Sequence, residues 1–145
     1  MSTHSNKALV IGAGFAGLSA ASFLAKKGWS VTIVEKNEMP GGRARKFEAE
    51  GFTFDMGPSW YWMPDVFEKY FGSFGKKVSD FYQLQRLDPS YRVYFEKATW
   101  DLPANYEALK NLFESIEPGA AHALDLFLAE AKYKYEVGVG KLVYQ

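Results

Sequence analysis

Cysteine is absent from all 145 residues, which excludes disulfide scaffolds, thiolate metal sites and cysteine nucleophiles. Histidine is scarce as well. His4 and His122 are the only two, neither has a partner at metal-ligand spacing, and both are expected to face solvent. Charge of one sign is not in excess: 17 Lys and Arg balance 17 Asp and Glu. A neutral chain has no electrostatic footprint for nucleic acid and no basic patch for a membrane surface. Long apolar runs are missing too. The longest uncharged stretch, between Lys7 and Lys26, holds 18 residues, and Gly12, Gly14 and Gly17 interrupt it. A membrane span needs about 20 apolar residues and gains nothing from glycines at turn spacing, so the stretch is read as folded structure. No repeat, low-complexity tract or linker stands out.

Aromatic residues are plentiful but unevenly placed. Only Phe15, Phe23 and Trp29 precede residue 47, whereas sixteen of the 25 lie between Phe47 and Trp100. A segment of small residues therefore gives way to one with bulky apolar walls.

Residues 1–6 are polar and expected to fray. Ala8–Ile11 is a continuous apolar run, as expected of a parallel strand buried on both faces. A helix from Phe15 sets Leu18, Ala21, Leu24 and Ala25 on one face, and Gly28 falls where a C-terminal cap belongs. Ala16, Gly17, Ala20 and Ala21 are small enough for close packing on a sheet. Val31–Glu35 reads as a second strand ending in a carboxylate.

Lys36–Gly42 reads as a loop, and Arg45–Ala49 and Phe52–Asp55 as a hairpin across Glu50-Gly51. Met56-Gly57-Pro58-Ser59 is a turn, and Pro64–Gly72 suits a helix with Val66, Phe67, Tyr70 and Phe71 inward. Gln83–Leu87 and Tyr91–Glu96 suggest a second hairpin across Asp88-Pro-Ser90, continued by Thr99–Leu102. Two helices close the chain. Ala104–Ile116 aligns Tyr106, Leu109, Leu112 and Phe113, and Gly119–Val137 aligns Leu124, Phe127, Leu128, Ala131 and Tyr135.

The chemistry concentrates early. Strand, Gly12-Ala-Gly14-Phe15-Ala16-Gly17, helix, strand and Glu35 follow in the order of a dinucleotide-binding βαβ unit. Gly12 permits the tight turn, Gly14 lets backbone approach a pyrophosphate, and Gly17 allows close helix–strand contact. Amides at the helix start then bind the anion, helped by the helix dipole. Glu35 stands where an acid accepts from ribose hydroxyls, and its charge disfavours the 2′-phosphate of NADP. To this point the residues do not separate NAD from FAD.

Gly41-Gly42-Arg43 bears on that choice. From the glycine turn through Glu35 to Gly41-Gly-Arg-Ala-Arg45, the chain resembles the FAD-binding start of the amine oxidase and carotenoid desaturase superfamily. Gly51-Phe-Thr-Phe-Asp-Met-Gly57-Pro58-Ser59 resembles the loop that this superfamily brings against its flavin. Where the wider superfamily often carries Ser or Thr, three places after the arginine, this chain has Lys46. The narrower resemblance, over residues 7–145, is to bacterial FAD-dependent phytoene desaturases. It rests on Gly51–Ser59, Trp60-Tyr-Trp-Met-Pro-Asp65, Leu87-Asp-Pro-Ser-Tyr91 and Phe113-Glu-Ser-Ile-Glu-Pro118.

That resemblance implies an α/β fold: the N-terminal βαβ part of a Rossmann-like FAD-binding domain, about 1–60, then the start of an α+β substrate domain, 61–145. It implies that Gly12, Gly14, Phe15, Ala16 and Gly17 line the FAD pyrophosphate and that Glu35 and Lys36 lie along the adenosine ribose. Gly42 and Arg43 would reach the cofactor, and Gly57, Pro58 and Ser59 would sit close to the flavin. It further implies an apolar polyene substrate, hydride transfer to the flavin with loss of a neighbouring proton, and a cytoplasmic protein in peripheral contact with the inner face of the membrane.

Several readings stay open. Trp60 and Trp62 suit ordinary core, with Tyr61 turned outward, as well as the wall of a polyene tunnel. Asp55 suits a buried acid bonding turn amides as well as a flavin-site acid, and no proton-transfer residue is assigned. Another amine oxidase-like flavin oxidoreductase, or a non-catalytic nucleotide-binding module, has the same early motifs. A doubly wound sheet needs more parallel strands than the two seen here, so the sheet is expected to be incomplete in this chain. Weak FAD binding and no turnover are expected of these residues alone.

Overall fold

The computed structural model describes residues 6–57 and 60–143. Residues 1–5, with His4 and most of the predicted frayed end, and the predicted cofactor residues Pro58 and Ser59 lie outside the described residues. The chain divides into two compact units, residues 1–83 and 84–145.

The first unit opens with strand β1 (Lys7–Ile11), helix α1 (Phe15–Lys26) and strand β2 (Ser30–Val34). The strands pair in parallel, Lys7 opposite Ser30 through Ile11 opposite Val34, as the predicted crossover requires. Gly28, just past the helix, has φ +84° and donates its amide to Ala25, which ends the helix as expected. Glu35 falls one residue beyond β2, so the acid sits on the turn rather than in the ladder.

The expectation that β1 is buried on both faces needs correction. Ala8 and Val10 are half-buried on one face, but Leu9 and Ile11 on the other are 63% and 84% exposed. The run of apolar residues fits a doubly covered strand, yet among the described residues only one face of this two-stranded sheet is packed.

A hairpin of β3 (Lys46–Ala49) and β4 (Phe52–Asp55) follows, one residue shorter than predicted at its start. Phe47 and Phe54 face each other across it with stacked rings 4.8 Å apart. Asp55 is exposed at its end, opposite Lys46, so the reading of a buried acid bonding turn amides does not hold.

Helix α2 (Pro64–Gly72) begins on its proline, and Phe67, Tyr70 and Phe71 point inward. Phe67 meets Phe15, and Tyr70 meets Phe23, both edge to face. The Tyr70 hydroxyl also donates to Ser22 Oγ at 2.9 Å, fixing α2 along α1.

The Trp60–Trp62 stretch is turned the opposite way from the core reading. Tyr61 goes inward, 4.9 Å from the Phe67 ring, with its hydroxyl 2.6 Å from that of Tyr82. Burial, then the Tyr82 hydroxyl, pushes the Tyr61 phenol well above its ordinary range. Trp60 and Trp62 are 69% and 62% exposed. A tyrosine can pack its ring and still find a partner for its hydroxyl, which suits the inward place.

In the second unit, the predicted hairpin across Asp88-Pro-Ser90 is not formed. The pair is instead β5 (Tyr91–Tyr94) with β6 (Thr99–Leu102), and residues 83–87 are irregular. The turn that closes it is Phe95–Ala98, whose Phe95 amide donates to Ala98 at 2.8 Å. Arg92 and Asp101 form a two-pronged ion pair across the strands, a preference that alternating apolar residues do not reveal. Asp88 accepts from the Ala104 amide at 3.0 Å, engaging the next turn instead of a hairpin.

Helices α3 (Tyr106–Ile116) and α4 (Ala120–Val137) each start slightly later than predicted, and a π-helical turn, Gly138–Leu142, follows. Asn105 caps α3 by accepting from the Ala108 amide at 3.0 Å. Asn105→Ala is therefore expected to destabilise this unit by about 1 kcal/mol, read as a lower urea midpoint with unchanged slope. Glu114 accepts from the Gly119 and Ala121 amides and so caps α4 from the preceding helix. The predicted apolar face of α4 is largely uncovered, with Phe127 66% exposed. Among the described residues no helix is long and apolar enough to cross a membrane.

Candidate nucleotide-binding site

Three short segments meet at the end of the parallel pair. The first is the glycine turn. The Gly12 amide donates to Val34 at 2.7 Å, tying the turn to the end of β2. Gly12 has φ +97°, a conformation open to glycine and costly for other residues. A Cβ on Gly17 would stand 2.0 Å from the Gly12 carbonyl oxygen, so α1 crosses the turn at a distance only glycine permits.

Four residues later the helix is hydrogen-bonded, with the Leu18 amide donating to Gly14 at 2.9 Å. The amides of Gly14, Phe15, Ala16 and Gly17 meet no acceptor among the described residues. No acidic side chain lies in the first turn of α1. Unpartnered donors at the positive end of a helix, approached by backbone without side chains, fit an anionic phosphate group. Phe15 begins the helix with its ring edge on Phe67, and Ala16 is exposed.

Glu35 supplies the second segment. Its Oε2 accepts from the buried Ala13 amide at 2.7 Å, and its Oε1 accepts from the Asn37 amide at 3.0 Å and Asn37 Nδ2 at 2.6 Å. The Ala13 amide, followed by that of Asn37, holds the carboxyl below its ordinary value of 4.5, against a smaller opposing effect of burial. A folded-state value below the unfolded one adds stability above the unfolded value, and that stability is lost as pH falls through the folded one. Glu35→Gln should remove this contribution. The difference in urea midpoint between wild type and variant is expected to shrink as pH drops below 4.5, and a constant difference would contradict the link.

The Gly41-Gly42-Arg43 turn is the third segment. The Gly41 amide donates to Ala13 at 2.8 Å, and Gly42 lies so close to Gly14 that an added Cβ would stand 3.1 Å from the Gly14 Cα. Gly57 in turn packs on this segment: its φ is +121°, and a Cβ there would meet the Arg43 carbonyl oxygen at 2.4 Å. The Arg43 side chain is exposed, as is Lys36. Lys36 borders an open hollow of about 760 Å³ with Asn37, Met39, Arg45, Phe47 and Met56.

The structure thus brings together Gly12, Gly14, Gly17, Glu35, Gly42, Arg43 and Gly57. Two partners went unread in the sequence. Ala13 is an ordinary residue between two glycines, and its amide is revealed only when Glu35 reaches it. Asn37 lies in the predicted loop, and an amide side chain two residues after the acid is its one signal in the sequence, a weak one. Among the described residues no cluster has the makings of a metal site, and His122 is exposed, as expected.

Residues 10–77 match the NAD(P)-binding Rossmann-like domain family. The chain is 49% identical over 94% of its length to a carotenoid 3,4-desaturase of Haloarcula japonica, of which it covers 28%. It is 43% identical over 90% of its length to a 4,4′-diapophytoene desaturase of Staphylococcus aureus, covering 26% of that protein. Among solved structures, a CLA-producing fatty acid isomerase from P. acnes aligns at 31% identity, over 54% of this chain and 19% of that one, with a TM-score of 0.39. The chain spans little more than a quarter of the length of the curated relatives it matches. Residues 10–77 are thus similar to a Rossmann-like domain, and the chain over nine-tenths of its length is similar to part of the carotenoid and diapophytoene desaturases.

Proposed function

We propose that this chain is the nucleotide-binding segment of an FAD-dependent desaturase acting on a carotenoid precursor, a long apolar polyene of the phytoene type. The observation that carries the proposal is the set of unpartnered amides at Gly14–Gly17, flanked by Glu35 on one side and the Gly42 backbone on the other. Supporting it are relatives named as desaturases at 43% and 49% identity.

In this reading Gly12, Gly14, Phe15, Ala16 and Gly17 hold the pyrophosphate of FAD through backbone amides, and Glu35 accepts from the adenosine ribose with Lys36 beside it. Gly42 and Arg43 bring backbone and a guanidinium to the cofactor's anionic edge. Gly57, where a side chain would meet the Arg43 backbone, borders the flavin, and the resemblance adds Pro58 and Ser59 to it. FAD, when bound, supplies the two-electron acceptor that desaturation of a saturated carbon pair needs. The chain's residues bind and orient it, and residues 61–145 begin the part that covers the polyene. Exposed Trp60 and Trp62 stand at that junction in the sequence. An apolar substrate of this length dissolves in a bilayer, so the protein works from the cytoplasm against the inner face of the membrane.

Product analysis on the intact protein tests the activity. Supplied with FAD and a phytoene-type polyene, it should yield products absorbing at longer wavelength, and amine substrates should be left unchanged. Oxidation of amines without any change in the polyene would replace this reading with that of another flavin oxidoreductase.

A further inference from the structure

We propose that Asn37 is the positioning residue that makes Glu35 selective for a ribose with free hydroxyls. The inference rests on the reading of this site as nucleotide-binding and adds to it a residue outside the glycine motif. Two segments grip the Glu35 carboxylate, one on each oxygen. The Ala13 amide holds Oε2 at 2.7 Å, while Asn37 places both its backbone and its side-chain N–H on Oε1, at 3.0 and 2.6 Å.

The Ala13 and Asn37 main-chain amides touch one oxygen each, and only the bond from Asn37 Nδ2 depends on the side chain. That side-chain bond fills the second acceptor position of Oε1, so the position left open lies on Oε2. A carboxylate offers roughly four acceptor positions, and three are filled here, so the remaining capacity has a set direction. All three donors are neutral. The full negative charge therefore remains available to attract hydroxyl donors and to repel a 2′-phosphate.

The neighbourhood gives this restraint a purpose. Asn37 lines the same hollow as the cationic Lys36 and Arg45, while Lys46 there is paired with Glu48 at 2.7 Å and Glu38 adds a further acid. A carboxylate free to swing toward Lys36 or Arg45 would no longer aim its open acceptor position at the ribose. Asn37 keeps the acid on the turn instead, and hydroxyl recognition depends on its staying there.

The test compares binding of ADP and 2′,3′-dideoxy-ADP to the intact protein by calorimetry. Charge-assisted hydrogen bonds make the expected preference of wild type for ADP about tenfold or more. Asn37→Ala should bring the two ligands within about threefold of each other while the melting temperature changes little. Asn37→Leu, similar in size but lacking the side-chain donor and adding no charge, should also lose the preference, and it serves if the alanine variant fails to fold. Wild-type preference that survives in both folded variants overturns the role of Asn37 and leaves the nucleotide reading intact. Failure of wild type to bind ADP at all overturns both.

Discussion

Gly17→Ala should abolish the folded βαβ unit, and nucleotide binding with it. Two effects oppose each other at this position. Alanine is the better helix former, worth up to about 1 kcal/mol over glycine in a helix interior. Against that, the new Cβ would stand 2.0 Å from the Gly12 carbonyl oxygen, 3.1 Å from its carbon and 3.4 Å from Val10 Cγ1. The closest of these is backbone, held by the bond from the Gly12 amide to Val34, and has no rotamer to change. Overpacking against movable side chains already costs about 1–3 kcal/mol, so a clash with a fixed turn outweighs the propensity gain.

Gly14→Ala makes the informative contrast. Gly14 has φ −78°, and its Cβ would find only the Gly42 Cα, at 3.9 Å, an ordinary contact. That variant should melt close to wild type yet bind nucleotide more weakly, because the methyl takes space the pyrophosphate needs. Circular dichroism melts beside FAD titrations separate the two, and a folded Gly17→Ala chain with wild-type affinity would contradict the geometry.

The isolated 145-residue chain should bind FAD weakly, bind hydrophobic dyes strongly and turn over no polyene. Its accessible surface is 12095 Å². Two compact domains with the sizes of its units would expose about 9,000 Å² between them. Among the described residues only Ala13, Ala21 and Leu102 are buried, and no large side chain is fully enclosed. Leu9, Ile11, Trp60, Trp62 and Phe127 lie open. Uncovered apolar surface on this scale marks faces that other protein or lipid covers. Dye fluorescence, sedimentation and a polyene assay on the purified chain check the expectation. A monomeric, dye-silent, yellow chain that desaturates a phytoene-type polyene would overturn it.

Much of the candidate site is legible in the sequence because backbone geometry dictates it. A glycine at 12 for the turn, one at 17 for the crossing and an acid after the second strand are choices that few other arrangements require. The parallel pair, α1 and α2 followed from periodicity and from Pro64 and Gly28 at their ends. Less legible was whatever depends on what covers a surface. Leu9 and Ile11 read as buried because the sequence carries the apolar residues of a covered sheet, whereas in this chain one face lies bare. The Tyr61 inversion turned on a hydroxyl finding Tyr82, twenty-one positions away. The second hairpin was misplaced because Asp88 caps the Ala104 amide and Arg92 chooses Asp101, pairings that alternation of apolar residues does not encode. Asn37 is hidden in the sequence for the same reason: its two bonds exist only in relation to Glu35.

Competition for FAD tests the central claim most directly. The chain is titrated into FAD while flavin fluorescence is followed, and ADP or riboflavin is then added. If Gly12–Gly17 and Glu35 hold the adenosine diphosphate half, ADP should displace FAD from the chain, and riboflavin, which lacks that half, should not. Displacement by riboflavin but not by ADP would contradict the assignment.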